Sequence, residues 1–209
     1  MALSLKDIKT PEVTVIRTGT ANLASIVAGL KRAGAIPKIT DEKSDIESAR
    51  LVILPGVGSF GATIEVLKSK GIFEPVKKRI QDGLPTMAVC VGLQLLCRDS
   101  EESPGVEGLG IVPVSVGRFK KGVRIPQFGW NKVEPVSEDG MLKSGYAYFA
   151  NSYRITETTS GWKPAFAFHG EKFVAAMEKG AVLACQFHPE LSGKWGLELI
   201  MNWIKTGLK

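Results

Sequence analysis

Cys90 stands where an apolar run, Thr86-Met87-Ala88-Val89, gives way to a helical stretch opened by Gly92. Small residues at Ala88 and Gly92 flank it at the small-x-nucleophile-x-Gly spacing of a strand-to-helix elbow, in which a sharp turn exposes a nucleophile at a sheet edge. A thiol there sits at a helix N-terminus, which favours the thiolate. The Val91 amide, with no acceptor inside the helix, is expected to be free to receive a developing oxyanion. An inert cysteine buried at a strand end fits the same residues taken alone.

A nucleophilic cysteine works with a histidine base, and the chain contains two, His169 and His188. His188 lies in Cys185-Gln186-Phe187-His188-Pro189-Glu190, where the proline biases the histidine toward an extended backbone. In an extended segment residues i and i+2 share a side, so Glu190 is expected to reach the His188 ring, set its tautomer and stabilise the imidazolium. Cys90, His188 and Glu190 then form a nucleophile, a base and its orienter. His169 ends the run Phe166-Ala167-Phe168 with no neighbour to orient its ring and reads as structural. Cys185 and His188 have a C-x-x-H spacing, but no further pair of ligands stands at finger-like spacing, so no metal is expected.

The second half of an oxyanion site must come from another strand end. Leu51-Val52-Ile53-Leu54 runs into Pro55-Gly56-Val57-Gly58, where glycines let backbone approach a ligand. No Lys-Ser/Thr follows, which argues against a phosphate-cradling loop.

These residues need a scaffold of alternating elements. Strand-like runs at Val13 to Arg17, Ile36 to Thr40, Arg50 to Leu54 and Pro85 to Cys90 alternate with helical stretches. The helices are expected at Asn22 to Ala33, at Phe60 to Asp82 with breaks at Gly71 and Pro75, and at Gly92 to Arg98. That rhythm predicts an α/β fold with a mostly parallel central sheet flanked by helices. Short runs between Gly110 and His188 predict additional antiparallel strands in the C-terminal half. An amphipathic helix from Ser192 to Thr206 closes the chain, with Trp195, Leu199 and Trp203 on one stripe. Residues 1–12 read as an extension and 13–209 as one domain.

Among the 209 residues, 44% are hydrophobic and 23% charged, which excludes disorder. Net charge is +6, too slight for a nucleic-acid-binding arm. The most apolar stretch, Thr86 to Cys97, is far shorter than the roughly 20 residues of a membrane span. With three cysteines in no framework spacing and no basic-then-apolar leader, a cytoplasmic protein is expected. The loop Arg118-Phe119-Lys120-Lys121-Gly122-Val123-Arg124 is the densest positive cluster, either a solvated loop or a docking patch.

From Val13 onward the chain resembles the triad (class I) glutamine amidotransferases, and within them the glutaminase subunits of imidazole glycerol phosphate synthase. The resemblance is carried by Thr18-Gly19-Thr20-Ala21-Asn22, Pro55-Gly56-Val57-Gly58-Ser59-Phe60-Gly61, Cys90-Val91-Gly92-Leu93-Gln94, Ser100-Glu101-Glu102-Ser103, Gly129-Trp130-Asn131, Tyr148-Phe149-Ala150-Asn151-Ser152-Tyr153 and Gln186-Phe187-His188-Pro189-Glu190. It implies a flavodoxin-like fold and hydrolysis of L-glutamine through a Cys90 thioester, with His188 passing a proton to the leaving ammonia. It further implies oxyanion backbone from Gly56, Val57 and Val91, and substrate contacts from Gln94, Asn151, Ser152 and Tyr153. Ammonia would pass to a cyclase partner, a (β/α)8 barrel in a heterodimer, docked at Gly129, Trp130 and Asn131; no cofactor is implied.

The chain departs from the usual family pattern at Ala88, Gln127, Phe128, Asn151 and Leu191, near the pocket or the expected partner face. Other readings are a paralogous glutaminase feeding a different synthase, a non-catalytic scaffolding subunit, and a cysteine peptidase or γ-glutamyl hydrolase.

Overall fold

Four short runs are buried along nearly their whole length: β1 (Glu12–Ile16), β3 (Val52–Leu54), β4 (Thr86–Val89) and β12 (Val182–Cys185). Unbroken burial, rather than alternation, marks strands covered on both faces. The computed structural model describes residues 10–19 and 22–209 and places these four side by side and parallel. β2 (Ile36–Thr40) completes the parallel half as its edge. Beyond β12 the sheet turns antiparallel through β11 (Lys172–Lys179), β10 (Lys163–Phe168), β7 (Gln127–Pro135) and β8 (Gly145–Asn151), making nine strands in the order β2-β1-β3-β4-β12-β11-β10-β7-β8. A smaller sheet joins β5 (Cys97–Ser100), β6 (Val112–Arg118) and β9 (Tyr153–Arg154).

Helices α1 (Leu23–Arg32), α2 (Lys43–Ser48), α3 (Phe60–Ser69), α4 (Phe73–Gln81), α5 (Val91–Leu95) and α6 (Gly193–Gly207) flank the large sheet. The fold class is the expected one. Asn22 and Ser59 cap α1 and α3 by accepting from Ser25 and Ala62 amides. In α6, Trp203 and Leu199 are buried and Trp195 partly so, which makes that stripe core.

Local differences have local causes. Helix α2 has too few apolar residues to show a period, burying only Ile46. Pro75 does not break its helix: it is the third residue of α4, within the first turn, where its missing N–H is not needed. The helix after Cys90 stops at Leu95 instead of Arg98, because Cys97–Ser100 pairs with β6. Most of the expected 1–12 extension lies outside the described residues; Pro11 already accepts from the Ile36 amide at 2.9 Å and β1 starts at Glu12.

Arg79 of α4 is buried without a carboxylate. Its guanidinium donates to the carbonyls of Ile46, Ala49, Arg50 and Pro85 at 2.8 to 3.2 Å, and burial lowers its pKa to about 10. It thereby ties α4 to the segments entering β3 and β4, the strands that end at the candidate site.

Candidate active site

Cys90 follows β4 with φ 56 and ψ −109, the one non-glycine at positive φ among the described residues. Such a backbone costs about 1–3 kcal/mol and persists only where the surroundings hold it. Here the Cys90 amide donates to the Cys185 carbonyl at 2.7 Å, and a Cβ at Gly92 would lie 2.3 Å from the Leu54 carbonyl oxygen. Ala88 and Gly92 are therefore small because the elbow closes on β3. The helix itself opens at Val91, one residue before the expected Gly92.

β4 and β12 run parallel in a register that pairs Val89 with Cys185, so nucleophile and base leave the same end of the sheet. His188 Nδ1 lies 2.9 Å from Glu190 Oε1, and both residues are buried. The expected contact forms by a different route: His188 is extended, but Pro189–Leu191 is a 3-10 turn that folds Glu190 back under the ring. That turn is pinned from three directions. The His188 amide donates to Tyr148 O at 2.9 Å, Ser192 Oγ donates to His188 O at 2.6 Å, and Arg32 donates to Glu190 O at 2.9 Å. A Cβ at Gly29 of α1 would fall 2.8 Å from Glu190 Cβ.

Burial lowers the affinity of the His188 ring for a proton, yet its contacts with Cys90 and Glu190 outweigh burial and raise its pKa to about 10. Cys185 and Cys97 are different: burial pushes both thiols up, Cys97 to about 12, so they stay protonated.

A cavity of about 280 Å³ opens over Cys90 and His188, bounded by Val57 and Gly58, by Val91 and Gln94, and by Asn151, Ser152 and Tyr153. This is near the small end for a ligand pocket, on the scale of an amino acid. The Asn151 amide donates to Tyr153 O at 2.9 Å, while its Oδ1 is buried without a partner. Gln94 does not reach freely into the cavity, since its Nε2 donates to Tyr153 O at 3.3 Å and to Gln186 Oε1 at 3.0 Å. Glu102 also lines the cavity, with Oε2 accepting the Phe60 amide at 2.7 Å. Nothing in the residues around Glu102 marks it for the site; the fold brings its Ser100–Ser103 segment against the start of α3.

The Val91 amide is not free, because it donates to Gly56 O at 3.2 Å. Gly56 packs so closely that a Cβ there would stand 2.6 Å from Val91 Cβ. The Gly56–Val57 peptide thus points its carbonyl, not its N–H, at the elbow.

Farther off, β7 carries Gly129, Trp130 and Asn131. Trp130 is 57% and Phe128 68% exposed, both edge-on to Tyr148, with Leu191 also exposed nearby in sequence to His188. Asn131 instead ties down β10 by donating to Phe168 O at 2.9 Å. The two departures Gln127 and Asn151 pair across β7 and β8, and Gln127 Oε1 is also buried without a partner.

His169 does have a neighbour that orients it: its Nε2 lies 2.8 Å from Arg124 O and its ring stands edge-on to Phe119. These contacts and the Lys120–Glu171 ion pair at 3.3 Å anchor the basic loop to β10 and β11. A larger cavity, about 590 Å³, lies away from this site between the β11–β12 turn and α6; it is lined by Lys163, Lys179, Lys205 and the buried Glu178, with neither cysteine nor histidine on its wall. Among the described residues no three His, Cys, Asp or Glu side chains gather as a metal site, and no helix is long and apolar enough to cross a membrane.

Residues 15–205 match the family described as Glutamine amidotransferase class-I. Imidazole glycerol phosphate synthase subunit HisH of Trichodesmium erythraeum is 41% identical over 92% of this chain and 93% of its own length. The protein of that name from Microcystis aeruginosa is 38% identical, covering 92% and 94%, and that from Thermus thermophilus 40%, covering 89% and 93%. Among solved structures, a glutamine amidotransferase superposes with a TM-score of 0.76 at 23% identity over 94% of this chain and 99% of that one. PurLQS from Thermotoga maritima gives 0.74 at 17% identity, covering 96% and 100%.

Proposed function

The chain belongs to the class-I glutamine amidotransferase family, and from that premise we propose that it is the glutaminase subunit of an imidazole glycerol phosphate synthase, releasing ammonia from glutamine for histidine biosynthesis. The observation that carries the reading is the Cys90 elbow facing His188, itself 2.9 Å from Glu190, at the floor of a cavity sized for one amino acid.

In this reading the Cys90 sulfur attacks the carboxamide carbon of glutamine, and the carbonyl becomes an oxyanion. The His188 imidazolium, charged at neutral pH, gives its proton to the departing nitrogen, so that ammonia rather than an amide anion leaves. The resulting glutamyl thioester is hydrolysed by water with His188 as base. Glu190 holds the ring and balances its charge. The substrate's ammonium meets the Glu102 carboxylate, an acceptor that lines the cavity beside Asn151. Main chain at Ser152 and Tyr153 lines the same wall, with Gln94 behind it.

The oxyanion has no donor while Val91 N–H is held by Gly56 O. Turning the Gly56–Val57 peptide over frees Val91 N–H and aims Val57 N–H at the same point, and two such donors are what an oxyanion needs. The glycine at 56 permits that rotation. The subunit alone is therefore a poor glutaminase that becomes efficient when a partner favours the turned peptide. The partner is the cyclase subunit, a barrel forming a heterodimer across Gly129, Trp130 and Asn131, and both work in the cytoplasm. The glutaminase domain begins with β1 at Glu12, which pairs with Ile36 of β2, one residue earlier than the expected Val13.

Glutamate production from glutamine, by the protein alone and with a cyclase subunit plus its ribotide ligand, tests this reading against a Cys90→Ala blank. Stimulation lost in Cys90→Ala is expected. Activity indifferent to the cyclase would point to another synthase, and no activity in any mixture would overturn the enzymatic reading.

A further inference from the structure

A chain of side-chain amides leads to the nucleophile, and its polarity follows from one fixed point. The main-chain carbonyl of Tyr153 only accepts, so the Gln94 atom 3.3 Å from it is the amide nitrogen. The other hydrogen on that nitrogen meets Gln186 at 3.0 Å, which makes the facing Gln186 atom an oxygen. Gln186 must then turn its own nitrogen the other way, and Gln186 Nε2 lies 3.8 Å from Cys90 Sγ, within hydrogen-bond range for sulfur. Gln186 is fully buried, so no water competes for that N–H.

We propose that Gln186 is a catalytic residue, donating an amide N–H to the Cys90 sulfur, and that Gln94 positions it by fixing which end of its carboxamide faces the thiolate. Gln186 sits on the segment between Cys185 and His188, so the chain that delivers the base also delivers a donor to the nucleophile. The two residues divide the work. His188 supplies the counter-charge and the proton, and Gln186 supplies a neutral N–H that cannot move away as a proton and holds the sulfur after His188 has discharged. Gln94 touches no reacting atom in this structure and is a positioning residue. Its bonds to Tyr153 O and Gln186 Oε1 also couple the substrate wall of the cavity to the sulfur.

This deepens the glutaminase reading, and its test needs no turnover. The rate of Cys90 alkylation by iodoacetamide is measured against pH in the full-length protein and in Gln186→Met, with Cys90→Ala as the blank for Cys97 and Cys185, which burial keeps protonated. Gln186→Met keeps the volume and removes the donor. The expected result is an alkylation profile displaced to higher pH and a rate at pH 7 lower by about tenfold, the size of one pH unit of lost thiolate stabilisation. If Gln186→Met does not fold, Gln186→Glu decides: it still accepts from Gln94 and, once ionised, opposes the thiolate, and the profile moves up further. A folded variant with the wild-type profile overturns the proposal. A merely structural Gln186 would lower the melting temperature and leave the profile in place. Absence of glutaminase activity in the wild type would leave this measurement intact, so the two readings fail separately.

Discussion

Replacing Glu190 by Gln removes the carboxylate 2.9 Å from the His188 ring while keeping shape and an acceptor oxygen, and leaves the Cys90 contact in place. An opposite charge at this range moves a pKa by roughly 1–3 pH units. In the intact protein the His188 pKa is raised to about 10, so the imidazolium persists through neutrality and the alkaline limb of the activity profile falls near that value. In Glu190→Gln the limb should move down to roughly pH 7–9. Each pH unit equals about 1.4 kcal/mol, so a variant assayed above its new limb should lose about 10- to 1000-fold in glutamate formation.

Stability follows with a defined sign. A histidine whose folded pKa exceeds its ordinary 6.5 stabilises the fold fully below that pH, and the contribution is lost as pH rises through about 10. The difference in unfolding free energy between wild type and Glu190→Gln should thus be largest below pH 6.5 and close toward pH 10. The assay is kcat/KM for glutamate release from pH 5 to 11, in the presence of the stimulating partner, with urea unfolding at both ends of the range. An alkaline limb at the same pH in both proteins would refute the assignment of His188 as the proton donor held by Glu190.

Asn151→Ala removes a side chain that lines the cavity and holds the Tyr153 carbonyl, and should raise KM for glutamine about tenfold with little change in kcat, as read by initial rates; a drop in kcat alone would place Asn151 elsewhere in the reaction. Arg79→Met leaves four carbonyls, one of them buried and three partly so, without their donor and should cost about 3 kcal/mol in urea unfolding, with the active fraction retaining its specific activity. Trp130→Ala trims the largest exposed aromatic of the proposed docking face and should weaken binding of the cyclase subunit by about 2 kcal/mol in calorimetry; undiminished affinity would move the interface off β7.

Much of this site is written locally in the chain. The elbow is legible because its requirement, small residues on both sides of Cys90, concerns neighbours in sequence. The pairing of His188 with Glu190 is legible because two residues separated by one proline meet in either an extended or a 3-10 backbone, so even a wrong conformation yields the right contact. The parallel core strands show as unbroken apolar runs, and the relevant length scale is again a few residues.

Relations between segments far apart in sequence are set by how the chain folds back on itself. The Gly56–Val57 peptide can face either way with the same residues, and packing against Val91 selects the carbonyl-in form. Glu102 and Gln186 acquire their roles through side-chain contacts across the fold, and His169 through the main-chain carbonyl of Arg124, none of which their neighbours in sequence announce. Residue type determines which group is present and, over a turn or two, where it points; which distant group it meets, and which lone pair or N–H is left over for a substrate, depends on how strands and helices close on one another.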